Sequence, residues 1–179
     1  FIGREHIGLV MKGETMGDLY SRALTAQDMP FIMDEFEDGA SMGSFSKEFS
    51  KAGGSKIVEK QIREVIRKGE AGQYTGHFFY ILTRESNKQR IGYIWLMTVP
   101  DLNGQPCLEI RAIGITKAFR GKGYASTLLS DWIENNSHHP MQAKCLAKSK
   151  HMTDMLLRRG FTVLQTTPSG SVLLFKPPR

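Results

Sequence analysis

The stretch Ile113-Gly114-Ile115-Thr116-Lys117-Ala118-Phe119-Arg120-Gly121-Lys122-Gly123-Tyr124-Ala125 decides how this chain is read. A β-rich run ends near Thr116, and a basic, glycine-bearing loop follows. An amphipathic helical pattern then runs from Gly123 to Asn136, with Ala125, Leu128, Leu129, Trp132 and Ile133 on one face. Glycines at 121 and 123 let the backbone approach a ligand closely. Successive N–H groups at a helix N-terminus form an anion site, helped by the helix dipole. Arg120 and Lys122 add positive charge. Strand, loop and helix together describe a binder of phosphate or pyrophosphate. The plainer alternative is a turn that merely joins a strand to a helix. Two phosphate motifs are excluded: the Walker spacing is absent, and the third glycine of a dinucleotide fingerprint is Ser126.

Working outward, the elements alternate in type. Leu19–Leu24 suits a short strand. Thr25 with Asp28 forms an approximate capping box, and helical spacing follows through about Asp38. Gly39–Ser55 reads as a loop with a helical turn near Phe45–Phe49, and Ser55 as the cap of the next helix. Ile57, Val58, Gln61, Ile62, Val65 and Ile66 recur at the helical period. His77–Glu85 and Gln89–Val99 flank a polar turn, which is a hairpin signal. Cys107–Thr116 is a third strand of this group. Beyond the central helix come a strand over Met141–Ala147 and a helix over His151–Arg159, stopped by Gly160. A last hairpin pairs Phe161–Thr166 with Val172–Phe175. The fold class is α/β, with residues 1–15 a tail or loose strand and 16–179 one domain.

Composition narrows the function. A length of 179 residues suits one core. No apolar run approaches membrane-spanning length, and the N-terminus lacks a secretory pattern. The absent initiator Met suggests a trimmed chain. Cys107 and Cys145 read as free thiols in a reducing, cytoplasmic setting. The histidines show no metal spacing, so no metal is expected. The net charge is +6. Residues 111–160 carry nine Lys and Arg against three acids, so the whole excess sits in this segment. That distribution favours a phosphate-bearing ligand over a nucleic acid.

The run Arg120-x-x-Gly123-x-Ala125 resembles the Gln/Arg-x-x-Gly-x-Gly/Ala signature of the GNAT superfamily of acyl-CoA-dependent N-acetyltransferases. The resemblance extends to the order of elements from about Met16 to Lys176, and Arg159-Gly160-Phe161 looks like the Gly-Phe that closes the family's last helix. It implies a single-domain GNAT fold, a mixed and mostly antiparallel sheet flanked by about four helices, with acetyl-CoA as cofactor. It also implies that Ile113, Gly114 and Ile115 border the pantetheine arm. Arg120, Gly121, Lys122, Gly123, Tyr124 and Ala125 would wrap the pyrophosphate. Ser149 stands where the family commonly has an asparagine.

Direct attack of an amine on a thioester needs a base, an oxyanion donor and a stabilised leaving thiolate. Glu109 is the candidate base. Strict alternation puts it on one face with Arg111, Ile113 and Ile115; several GNAT members carry a glutamate at the matching place. The alternative is a glutamate held in a salt bridge, for instance with Arg111. The family's usual tyrosine acid is replaced by Leu156, and no tyrosine follows residue 124. His151 and Thr153 are the substitutes at hand.

Residues 20–38 hold Asp28, Asp34, Glu35, Glu37 and Asp38 against Arg22. This is either an acidic rim attracting a cationic amine or a solvated helix end. Glu35, Tyr93 and Trp95 are the candidate substrate-binding residues; as strand aromatics, Tyr93 and Trp95 equally suit the core. The expected activity is N-acetylation of a small-molecule, peptide or lysine amine. An aminoacyl group on tRNA is carried only by basicity and size. A homodimer is one expectation for assembly. The competing hypothesis is a coenzyme A-binding regulatory module with little or no turnover.

Overall fold

The computed structural model describes residues 18–52 and 54–179. The expected N-terminal tail over residues 1–15 lies outside them. One seven-stranded sheet organises the rest. In chain order the elements are β1 (Leu19–Ala23), α1 (Met29–Ser41), α2 (Ser55–Glu70), β2 (His77–Arg84), β3 (Arg90–Pro100) and β4 (Pro106–Ile115). Then follow α3 (Tyr124–Asn135), β5 (Met141–Cys145), α4 (Lys150–Leu157), β6 (Thr162–Thr166) and β7 (Val172–Lys176). The sheet order is β1-β2-β3-β4-β5-β7-β6. Only β4 and β5 run parallel, joined by the crossover helix α3. Every other neighbouring pair is antiparallel.

Each face of the sheet carries its own core. On one side α3 and α4 press Leu128, Leu129, Trp132 and Leu156 onto Ile94, Leu108, Ile110, Ile113, Ile115 and Leu174. On the other, α1 and α2 press Ile32, Phe36, Val58 and Ile62 onto Phe79, Ile81, Tyr93, Trp95 and Ala112. Each wholly buried Leu or Ile contributes about 1.5–3 kcal/mol.

Two local expectations change. Helix α1 continues through Gly39, which composition assigns to a loop, and ends at Ser41. A side chain at Gly39 would run into the Phe45 ring, so this glycine is a packing position. Phe45 then meets Phe36 edge-on, with ring centroids 5.9 Å apart. The cap of α2 is Gly54, at φ +103°, and Ser55 is its first buried residue.

The predicted capping box forms, but Asp28 has a larger task. It is wholly buried, and its carboxylate accepts from the Thr25 amide at 2.8 Å. It also takes both arms of the Arg22 fork and Arg90 Nε, each at 2.7 Å. Despite the opposing effect of burial, these donors hold its carboxyl far below the ordinary range. Asp28 therefore joins β1, β3 and the start of α1, and is no part of an acidic rim.

Candidate active site

Strands β4 and β5 pair only from Leu108↔Met141 to Ile110↔Ala143. Above that rung they diverge, and a cleft of about 620 Å³ opens between them. Residues 110–115 of β4 line one wall; Ala143, Lys144 and Cys145 of β5 line the other. A bulge begins the divergence. Trp95 pairs with Ala112 and Leu96 with Ile110, so Arg111 is the extra residue. Leu108 and Ile110 below it, and Ile113 and Ile115 above it, all face the α3/α4 core.

The bulge corrects the alternation expected for this strand. Glu109 and Arg111 lie on the α1/α2 side, away from Ile113 and Ile115. Arg111 stacks over Trp95, with its guanidinium carbon 4.8 Å from the ring centroid. Its nearest carboxylate is Glu48, at 3.9 Å. It makes no ion pair with Glu109. The Glu109 carboxylate is buried at the last paired rung below the cleft. Its Oε2 accepts from Gln142 Nε2 at 2.7 Å and lies 3.6 Å from Lys144 Nζ. Glu109 does not itself line the cleft.

Above the floor sits the glycine loop. Gly121 (φ +78°) and Gly123 (φ +81°) are left-handed, and Gly123 caps α3. The amides from Gly121 to Ser126 donate to no acceptor among the described residues, as expected where a helix starts without a side-chain cap. Gly121, Gly123, Tyr124 and Ala125 line the cleft. Lys122 is exposed, its Nζ 5.5 Å from the Phe119 ring centroid. The Arg120 guanidinium turns back toward α1. Nε donates to the Ile115 carbonyl at 2.8 Å and Nη2 to Asp38 Oδ2 at 2.7 Å.

Ser149 lines the cleft, but its hydroxyl donates to the Ser44 carbonyl at 3.0 Å. It thereby straps the start of α4 to the segment after α1. At the usual tyrosine position Leu156 is wholly buried and lines the cleft. His151 lines it and is exposed, whereas Thr153 donates to the Ser149 carbonyl within its own helix.

On the α1 side, Glu35 and Tyr93 reach the cleft. Burial raises the Glu35 carboxyl despite the opposing charge of Arg120. Burial also pushes the Tyr93 phenol well up, with a further push from Glu35. Tyr93 faces Gly114 across the β3–β4 ladder, and a Cβ at Gly114 would meet the Tyr93 hydroxyl at 2.6 Å. Trp95 does not line the cleft. It is wholly buried, and its indole N–H donates to His77 Nδ1 at 3.1 Å. The remaining acids are also partly spoken for. Asp38 holds Arg120, and Glu37 accepts the Lys51 amide at 2.5 Å. What is left of the expected rim is Glu35, with the exposed Asp34 beside it.

Cys145 is a cleft-lining residue that sequence reasoning passed over. Both cysteines are buried and free; burial raises each thiol, Cys107 to about 11. Among the described residues no cluster could hold a metal ion, and no helix is long and apolar enough to cross a membrane.

Residues 44–161 match the family model described as Acetyltransferase (GNAT) family. Among curated proteins no significant match is found. The fold is similar to that of several solved structures. A GNAT-family acetyltransferase from Streptococcus agalactiae is 17% identical, with 90% of this chain and 96% of that one covered and a TM-score of 0.67. The PaiA N-acetyltransferase of Thermoplasma acidophilum, solved with coenzyme A, is 17% identical (89% and 98% covered, TM-score 0.66). Spermidine N-acetyltransferase from Vibrio cholerae, solved with coenzyme A and spermine, is 15% identical (88% and 93% covered, TM-score 0.63). At such identities the likeness concerns the fold alone.

Proposed function

This chain belongs to the GNAT acetyltransferase family, and on that premise we propose that it transfers an acetyl group from acetyl-CoA to a primary amine by direct attack. The observation that carries this reading is the cleft between the diverging β4 and β5, which ends in a helix start with free amides. The residues present fit the cofactor. The loop amides of Gly121 to Ala125 would hold its pyrophosphate, with Lys122 adding charge. The edge of β4 from Arg111 to Ile115, left unpaired by β5, would hold its pantetheine arm. Bound acetyl-CoA supplies a thioester carbonyl activated toward amines.

The chain's own task is to bring the amine in neutral and to remove its proton. Glu109 is the proposed base. Its Oε2 is occupied by Gln142, which leaves Oε1 to take the proton. Lys144 lines the cleft beside it and keeps the carboxylate charge compensated. A second assignment has its own support: Glu35 lines the cleft and Glu109 does not. In that version Glu35 takes the proton, and Tyr93 packs beside it. No acid stands at Leu156, so the leaving sulfur departs as thiolate, which is stable enough to leave unassisted.

The acceptor is proposed to be a cationic amine in solution, drawn by Glu35 and Asp34; a spermidine-like polyamine, a peptide N-terminus and lysine are the first to try. The buried free thiols agree with a reducing, cytoplasmic setting. Thiol release from acetyl-CoA over this amine panel is the test. Release with at least one amine is expected. Micromolar acetyl-CoA binding with no release for any amine would favour the regulatory-module alternative.

A further inference from the structure

A second cavity, of about 350 Å³, opens on the other side of α3, where the C-terminal half of that helix meets the end of α4 and the end of β7. Its lining is cationic: Arg158, Arg159, Lys176 and Arg179 against one acid, Glu134. Lys176 is the informative residue. It follows Leu174 by two positions and so points to the same face of β7, under the helices. It is 6% exposed, yet its ammonium has no hydrogen bond or ion pair among the described residues. It lies close to Gly160, where a Cβ would be 3.8 Å from Nζ. Most of the side chain is covered, and the ammonium keeps its remaining contact with solvent at the cavity it lines.

The neighbouring charges do not offset that of the ammonium. Arg159 is spent on α3 and α4, donating to Ser130, Ser126 and the Met155 carbonyl. Its guanidinium pKa is pushed down by burial and then by the like charge of Arg158. Arg158, Arg179 and Glu134 make no ion pair among the described residues. Four cations thus surround the space, with Glu134 the one acid among its lining residues.

We propose that this cavity binds a small dianion of the phosphate type, either the free ion or the phosphoryl group of a small ester. Lys176 supplies the buried charge, and Arg158 and Arg179 close on it from the rim. None of its lining residues belongs to the loop at Gly121–Ala125, and Arg158 is the one residue it shares with the β4–β5 cleft.

The test titrates inorganic phosphate into the full chain already saturated with coenzyme A, which occupies the loop. One saturable site is expected by calorimetry. Lys176→Met keeps the packing and removes the charge, and should weaken phosphate at least about tenfold. Glu134→Gln, an exposed change, should tighten it by about threefold. Glycerol phosphate binding more tightly than phosphate identifies an ester as the ligand; equal or weaker binding identifies the free ion. The proposal fails if no saturable site is found, if Lys176→Met binds phosphate as the wild type does, or if chloride gives the same effect. It fails too if Lys176→Met weakens coenzyme A but not its 3′-dephospho form, since the cavity would then belong to the cofactor.

Discussion

Arg120 Nη2 lies 2.7 Å from Asp38 Oδ2, a contact between residues 82 apart in the chain. With Arg120 Nε on the Ile115 carbonyl, it joins the glycine loop to the end of α1. The glycine loop and the helix carrying Glu35 are thus tied by an ion pair at the surface. Asp38→Asn should raise the Kd for coenzyme A while leaving stability almost unchanged. Both side chains are more than a third exposed, so the coupling in a double-mutant cycle should stay below about 1 kcal/mol. Calorimetric Kd values and urea midpoints check both parts.

Gly114 leaves room for Tyr93. Gly114→Ala places a Cβ 2.6–2.8 Å from the hydroxyl and two ring carbons, so the ring must move. The expected result is a lower Tm and a higher KM for the amine. Adding Tyr93→Phe removes only the nearest atom and should restore the Tm in part; full recovery needs a smaller residue such as leucine.

The two candidate bases separate by pH. If Glu109 takes the proton, Glu109→Gln lowers kcat most near neutral pH and recovers at high pH, where the amine loses its own proton. Glu35→Gln would then keep the wild-type profile. The reverse pattern assigns the role to Glu35, and a flat loss for Glu109→Gln across pH marks a structural residue.

Glu35 also predicts a stability change. Its folded pKa lies above the ordinary 4.5, so the folded chain holds this proton longer than the unfolded one. Its contribution is fully present below 4.5 and is lost as pH rises through the folded value. Glu35→Gln should therefore gain stability over the wild type at pH 8 and show little difference at pH 4. Urea unfolding at the two values reads this directly.

Asp28 behaves oppositely. Its depressed pKa means that its stabilisation is present above 3.8 and is lost as pH falls toward the folded value. Asp28→Asn should cost about 3 kcal/mol at neutral pH. This is the low end for breaking a buried pair, because Arg22 and Arg90 keep some access to water. The variant should also lose less stability than the wild type between pH 4 and pH 2.

The glycine loop, the hairpins and the helix faces were legible because each depends on residues near in sequence. Gly121 and Gly123 announce a left-handed backbone, and Leu128, Leu129, Trp132 and Ile133 announce a buried stripe. What escaped depends on partners far away. Asp28 and Asp38 look like members of one acidic segment, yet each is claimed by arginines from other elements. Trp95 and Tyr93 alternate alike, but only Tyr93 has a glycine opposite that opens a way to the cleft. Nothing in the composition of β4 marks the bulge at Arg111, and one extra residue was enough to turn Glu109 to the other side of the sheet.

That single extra residue makes β4 a strand with two phases. Its even positions, 108 and 110, belong to the α3/α4 core below the bulge; its odd positions, 113 and 115, belong to the same core above it. Seen from the α3/α4 side, the buried positions of β4 are spaced two, then three, then two, while Ala112 is held in the opposite core beside Trp95. The half carrying the carboxylate and the half bordering the β4–β5 cleft are thus offset in register by one residue. Deleting Arg111 would remove the bulge and return β4 to strict alternation, with 108, 110, 113 and 115 still on the α3/α4 side.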